Sequence, residues 1–395
     1  MKKIFIFLLI CLGIVAGVLY FTVNPDAISN LAYSISNVFE TPYDEYNEEF
    51  KINEIKISEN SYYYNKLTEQ QKNIYTAIAN GVKSLTNDVK LKKYEYIDSE
   101  TTMKDVEVAL HKFLLDHPEV YYMDDKYTVS TKTGITGTGV IVGLTYQFGS
   151  IEELNNSVAR LNSKFDEILN EATIEKGKDF ENEQKIHDVL SKKVTYYEYE
   201  DLSKIPSKYH TIEGTLTENL AVCDGLAKTF QILLDKVGIK SIIVSGSLNG
   251  TSHAWNMVQL EDGWYHTDIT SDNSIKTEKK VVFHSYFNIN TETIKKTHVI
   301  SEEDIIPEAI STKYNFYEYT GKNIVNGDNF ANKLKEIISK NSDEKLVEYK
   351  VNGFDNVPEK TIEVLRKNKF TDYLETKSTK FIYYNVLDTY IVLKK

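Results

Sequence analysis

Three residues have the types and the order to do chemistry: Cys223, His253 and Asp268, a thiol, an imidazole and a carboxylate. Such a set supplies a nucleophile, a base, and a partner that holds the base in one orientation. From Cys223 the apolar residues Leu226, Ala227, Phe230, Leu233, Leu234 and Val237 fall at offsets 3, 4, 7, 10, 11 and 14. That spacing is one face of a helix, and Gly238 stops it. The thiol therefore sits in the first turn of a helix with a buried face. Free N–H groups at a helix start favour an anion, and so thiolate over thiol. An ordinary cysteine, with a pKa of ~8.5, is only a few per cent ionised at neutral pH; a neighbouring imidazolium adds to the helix in reversing that. The carboxylate of Asp224 works against it.

The other two groups need strands to hold them. SIIVSGS (241–247) reads as a strand from its β-branched content, and Asn249-Gly250 as a turn. His253 stands at the start of a second strand, HAWNMVQL. Asp262-Gly263 reads as a hairpin turn, and WYHTDIT returns with Asp268 on it. A two-residue turn at 262–263 sets Asp268 opposite Met257. That leaves roughly 13 Å along the strand to His253, to be closed by a bulge, a strong twist or a fold-back. His266 shares a face with Asp268; it reads as structural first and as a spare hydrogen-bond partner second. Trp255 shares a face with His253, either screening it from water or simply filling the core.

The pieces AVCDGLAKTFQILLDKVGI, HAWNMV and GWYHTDIT, in that order, resemble the transglutaminase-like superfamily, thiol enzymes related in fold to papain-type proteases. The resemblance covers about residues 185–290. It implies Cys223 as nucleophile, His253 as base and Asp268 as orienter. It also implies an α+β fold whose core packs the nucleophile helix on an antiparallel sheet. Two positions depart from the family. Ser271 stands where many members carry an aromatic residue. The animal enzymes place an oxyanion-holding tryptophan before the cysteine, whereas Trp255 and Trp264 both follow Cys223. The backbone N–H of Cys223 is the one oxyanion donor left to name.

The chain has 395 residues, enough for two or three domains, and a formal charge of −12. Its basic residues are nearly all lysine, with Arg160 and Arg366 the only guanidinium groups. Such a chain is a poor match for nucleic acid. Of two cysteines, Cys11 lies in an N-terminal apolar run, so Cys223 is the only thiol of the globular part and has no internal disulfide partner there.

Residues 4–23 form an uncharged run of twenty, long enough as a helix to cross a bilayer. Lys2 and Lys3 precede it and Asp26 follows, which puts the rest of the chain outside the cytoplasm. A retained signal anchor (1–25) is the favoured reading. A signal peptide cleaved near Val15-Ala16-Gly17, giving a secreted protein, comes second, and a lipoprotein at Cys11 third. Residues 26–58, acidic and without period, read as an extracytoplasmic tether.

A lead α+β domain spans 59–148. Thr68 with Gln71 forms a capping box. A helix near 103–115 turns Met103, Val106, Leu110, Phe113 and Leu114 inward, and two strands meet near Gly134–Gly137. The catalytic domain spans 149–300, opening with helices at 150–172 and 180–192. VVFHSYFNI reads as a strand or extended piece. A small α+β domain spans 310–395, with NFYEYTG as a strand, 327–340 a helix, KLVEYKVN a strand, a helix from Pro358 to about Leu374, and one or two closing strands.

The sequence thus points to an extracytoplasmic cysteine enzyme. It would perform acyl transfer or hydrolysis at amide or peptide carbonyls through a thioester, on a protein or peptide substrate, for instance of the cell envelope. The alternative is a catalytically silent, membrane-tethered scaffold or binding module. No cofactor is expected. No metal is expected either, because His284 and His298 lack partners at metal-ligand spacing and the acidic stretches 40–49 and 301–304 lack a calcium-loop pattern. Oligomeric state is not encoded in any pattern found.

Overall fold

The computed structural model describes residues 61–91, 99–134, 137–199, 204–273, 282–344, 346–373 and 385–393. The expected anchor and tether lie outside them. Among the described residues no helix is long and apolar enough to cross a membrane. Contacts divide the chain into two units, Met1–Asn155 and Asn156–Lys395.

In the first unit, α1 (Glu69–Lys83) opens on the expected capping box of Thr68 and Gln71. β1 (Asp88–Lys90), α2 (Ser99–Asp116), β2 (Met123–Gly134) and β3 (Gly137–Tyr146) follow, with the strands in the antiparallel order β1-β3-β2. Ile74, Ile78 and Val82 of α1 and Val106, Leu110 and Phe113 of α2 are buried. Met103, expected inward, is 56% exposed, because the buried stripe of α2 begins at Thr102 instead. Leu115, not Leu114, takes the next inward position of that helix.

The dividing point falls inside α3 (Ile151–Ala172). The second unit continues with α4 (Asp179–Lys193), β4 (Thr195–Tyr196), α5 (Ile212–Thr217), β5 (Leu220–Ala221) and α6 (Cys223–Lys236). Next come β6 (Ser241–Leu248), β7 (Thr251–Leu260), β8 (Gly263–Thr267), α7 (Ile269–Asn273), α8 (Thr291–Ile294) and β9 (His298–Ile300). These strands form an antiparallel sheet in the order β8-β7-β6-β9, while β4 and β5 make a short parallel pair. α6 buries Leu226, Ala227, Phe230, Leu233 and Leu234. Asn256 of β7 donates to the Ala227 carbonyl at 3.0 Å and ties sheet to helix.

Two details of the sheet decide where the functional side chains fall. The β7–β8 turn is Glu261-Asp262, not 262–263, since Leu260 pairs with Gly263. Gly263 adopts φ +148°, which a side chain would resist. Asn256 therefore pairs with Thr267, and Asp268 comes two residues nearer His253 than the sequence register allowed. On β6, a Cβ at Gly246 would lie 2.1 Å from the Val299 carbonyl oxygen and 2.8 Å from the Trp255 ring. The bare glycine lets β9 and that indole close on the same spot.

The chain ends in α9 (Phe316–Tyr319), β10 (Asn323–Ile324), α10 (Phe330–Lys340), β11 (Leu346–Val351), α11 (Val357–Lys367), β12 (Asn385–Val386) and β13 (Thr389–Leu393). Their sheet runs β10-β11-β13-β12 over a core that includes Ile324, Leu334, Ile338, Val347, Tyr349 and Leu365. NFYEYTG, expected as a strand, contains the single helical turn α9; Phe316 and Tyr317 are both buried, so the segment has no strand-like alternation. The helix from Pro358 stops at Lys367, capped by Asn368, with Lys369 left-handed at φ +60°. VVFHSYFNI contributes turns and one bridge, His266 to Ile289, in place of a strand.

Candidate active site

Cys223 is the first residue of α6 and is half-buried. Its helix start is held by neighbours on the preceding segment. Lys228 donates to the His210 carbonyl at 2.8 Å, and His210 Nδ1 donates to Asp224 Oδ1 at 2.9 Å. Lys228 Nζ lies 3.6 Å from the other Asp224 oxygen. Burial pushes the Asp224 carboxyl up, but the charges of Lys228 and His210 outweigh that and hold it below its ordinary range. The negative charge beside the thiol thus faces a lysine and a histidine of its own.

His253 sits near the start of β7, and Asp268 immediately follows β8. Nε2–H of His253 donates to Asp268 Oδ2 at 2.9 Å. The Cys223 side chain lies close enough to His253 to bear on the charge of its ring. Burial disfavours the charged ring, but Asp268 and Cys223 together raise the His253 pKa to about 10. Of the three residues singled out by type and order, His253 and Asp268 are thus in contact, and Cys223 lies near them. The expected 13 Å gap closes through the shifted turn and through the exit of the chain from the strand at Asp268.

Asp268 is the residue before α7, and its Oδ1 accepts from the backbone N–H groups of Thr270 at 3.0 Å and Ser271 at 3.1 Å. This is helix N-capping, and it leaves Oδ2 pointing at the imidazole. The Ser271 hydroxyl also donates to Oδ2. Burial alone would push this carboxyl up; the charge and hydrogen bonds of His253, with those of His298, hold it far below the usual carboxylate range.

Spacing along the sequence left His298 and His284 without partners, but the fold brings His298 to His253 and Asp268, and His284 to His187 and Asp188. His298 Nε2 donates to the same Oδ2 at 3.0 Å, while Nδ1 lies 2.8 Å from the Thr297 hydroxyl. It reaches the site because β9 pairs with β6, a partnership between segments about fifty residues apart that leaves no local trace. His266 instead turns to Trp255. The indole donates to His266 Nδ1 at 3.0 Å, and His266 Nε2 meets the Thr291 hydroxyl at 3.2 Å. Burial, with the nearby charges of His298 and Lys295, lowers its pKa to about 3, so it stays neutral. The buried Trp255 ring lies almost parallel to His253 at 6.0 Å and edge-on to His298 at 4.9 Å.

Tyr196 on β4 was also missed as an individual residue. Its hydroxyl is raised above the ordinary tyrosine range by burial, then by a hydrogen bond with Tyr199 and by the charges of Cys223 and Asp224. The extended VTYYEYE segment before the nucleophile was the available signal.

A second buried cluster lies in the same unit. His187 and Asp188 of α4 meet His284, with His284 Nε2 2.9 Å and His187 Nδ1 3.2 Å from the same oxygen, Asp188 Oδ1. Beyond them, His187 Nε2 lies 3.3 Å from Asp272 Oδ2, and His284 Nδ1 lies 3.0 Å from Glu348 Oε2.

Comparison with known proteins agrees with the core and goes no further. Residues 166–269, about a quarter of the chain, match the model of the Transglutaminase-like superfamily. The match contains Cys223, His253 and Asp268. No curated protein matches the chain. Among solved structures, "Crystal structure of a TGase" is similar at 14% identity and TM-score 0.27, over 48% of this chain and 53% of that one. A "Putative Cysteine Protease" from Cytophaga hutchinsonii is similar at 15% identity and TM-score 0.23, over 38% of this chain and 63% of that one. This chain thus spans less than two thirds of either, and scores of that size are too low to equate whole folds. The α+β class holds, with a transglutaminase-like core over residues 166–269.

Proposed function

We propose that the protein is a cysteine acyltransferase or amide hydrolase in which Cys223, His253 and Asp268 act as a triad. The observation that carries this reading is the His253 ring, bound through one nitrogen to a deeply buried carboxylate, with the half-exposed thiol of Cys223 at a helix start near enough to act on its charge. In the proposed reaction the Cys223 sulfur attacks a carboxamide or peptide carbonyl. The developing oxyanion faces the Cys223 backbone N–H, with Tyr196 as a second donor. His253 gives its proton to the leaving amine, and a thioester remains. Water or an amine then attacks the thioester, His253 takes the incoming proton, and the sulfur leaves. Asp268 keeps the imidazole in the tautomer and orientation this needs.

Residues 4–23 would anchor the enzyme with its catalytic part outside the cytoplasm, and envelope proteins or peptides would be its substrates. The test is alkylation of Cys223 by iodoacetamide across pH, with trapping of the acyl-enzyme from envelope peptides. An activated pair predicts fast alkylation well below the pH of an ordinary thiol, and slowing on His253→Ala. A midpoint near the ordinary ~8.5, unchanged by that substitution, sinks the reading.

A further inference from the structure

The second cluster has no part in the proposed reaction, and its geometry calls for another explanation. We propose that His187, Asp188 and His284 form a binding site for one divalent metal ion of the zinc class, held by two imidazoles and a carboxylate. His187 and Asp188 are consecutive on α4, positions that ordinarily point apart. Here both are aimed at His284, and one donor atom from each of the three residues lies within 4.8 Å of the other two. Zinc binds nitrogen and carboxylate oxygen at about 2.0–2.2 Å, which separates tetrahedral ligands by about 3.3 Å. The two contacts to Asp188 Oδ1, 3.2 and 2.9 Å, need to open by only a few tenths of an ångström.

The outer nitrogens strengthen the assignment. A metal-bound histidine usually gives its other N–H to a carboxylate, which fixes the ring and its tautomer. His284 has Glu348 there in a hydrogen bond of 3.0 Å, while Asp272 faces His187 Nε2 at 3.3 Å without yet making one. His284 is further fixed by stacking on Phe316, ring centres 3.8 Å apart. The two ring centres lie 5.2 Å apart with the Asp188 carboxylate between them. An ion bound there needs both imidazoles neutral, so binding displaces any proton the inner nitrogens hold. Two imidazoles and one carboxylate suit zinc, cobalt, nickel or ferrous iron rather than calcium or magnesium. Asp188 keeps 24% of its side chain exposed, so the ion has a way in and a place for water.

The same convergence at Asp268 does not qualify. His253 has a thiol nearby and His298 a hydroxyl on its outer nitrogen, and Asp268 Oδ2 already takes a third donor from Ser271.

The experiment uses the full chain carrying Cys223→Ala, so that the thiol cannot bind metal. Elemental analysis is combined with Co²⁺ and Zn²⁺ titrations followed by thermal unfolding and by the visible Co²⁺ spectrum. One equivalent per chain, a raised Tm and a low-symmetry Co²⁺ spectrum are expected, all lost in Asp188→Asn and His284→Gln. No stoichiometric binding and no Tm shift, or binding untouched by both substitutions, overturns the proposal. Should those two chains fail to fold, Glu348→Gln replaces them. Affinity then falls about tenfold to a hundredfold, and unchanged affinity overturns the site. The readout is independent of acyl transfer, so it stands or falls apart from the triad.

Discussion

Two buried clusters in one unit use the same parts and differ in what faces their outer nitrogens. Each joins two imidazoles through a single carboxylate oxygen, Asp268 Oδ2 in one and Asp188 Oδ1 in the other. At the first, a thiol lies near one ring and a hydroxyl meets the outer nitrogen of the other. At the second, both outer nitrogens face carboxylates. A ring that faces a carboxylate on either side has no reacting group to hand a proton to. A ring between a carboxylate and a thiol has one proton that can leave with an amine. The difference between a reactive and a fixed histidine lies here in the second neighbour, not in the residue or its burial.

The contrast is broken most severely at its two carboxylates. Asp268→Asn should lower acyl transfer by about four orders of magnitude, since an amide favours the wrong imidazole tautomer. Circular dichroism should still report a folded chain; a loss under tenfold in single-turnover kinetics would contradict the assigned role. Asp188→Asn should do the opposite. It removes one partner of a buried ionic set, which costs about 3–5 kcal/mol, read as a lower denaturant midpoint. The iodoacetamide rate of Cys223 in the remaining folded fraction should stay within about twofold, because nothing in the reaction passes through this residue.

His298 tests whether sharing a carboxylate matters. His298→Gln should lower kcat by about tenfold to a hundredfold through looser placement of Asp268, with KM little changed. A parallel fall in Cys223 alkylation separates this from loss of fold. The pH profile carries the sign of the His253 shift. With its pKa raised to about 10, the ring keeps its proton through neutral pH, and activity falls as pH rises through about 10. Asp268→Asn removes the attraction that raised this value, so the alkaline limb moves down. A limb that stays in place means another group controls it.

The smallest effect is expected at Asp224. His210→Gln frees one side of a carboxylate that Lys228 still balances. His210 is 40% exposed, so solvent screens the pair, and the change in alkylation rate should stay within about fivefold.

The helix that carries Cys223 was legible from spacing alone, from its first residue to its stop at Gly238, which adopts φ +82°. So was the Asn249-Gly250 turn, both residues with positive φ. These features are local and depend on side-chain period or backbone freedom. The hairpin register was read two residues out of step, because the Glu261-Asp262 turn gives no stronger signal than Asp262-Gly263. His298 and the pairing of His187 with His284 were invisible for a different reason. They depend on contacts between segments 30 and 97 residues apart, where neither period nor spacing carries information.

The short turn between β7 and β8 has a consequence for how this protein can vary. Side chains alternate along a strand, so one inserted residue at Glu261-Asp262 would turn β8 inside out. Thr267 would face solvent, and the capping carboxylate after it would swing away from the imidazole. The identity of the loop residues is free to drift, while the loop's length is pinned by the hydrogen bond that Asp268, six residues downstream, accepts from His253.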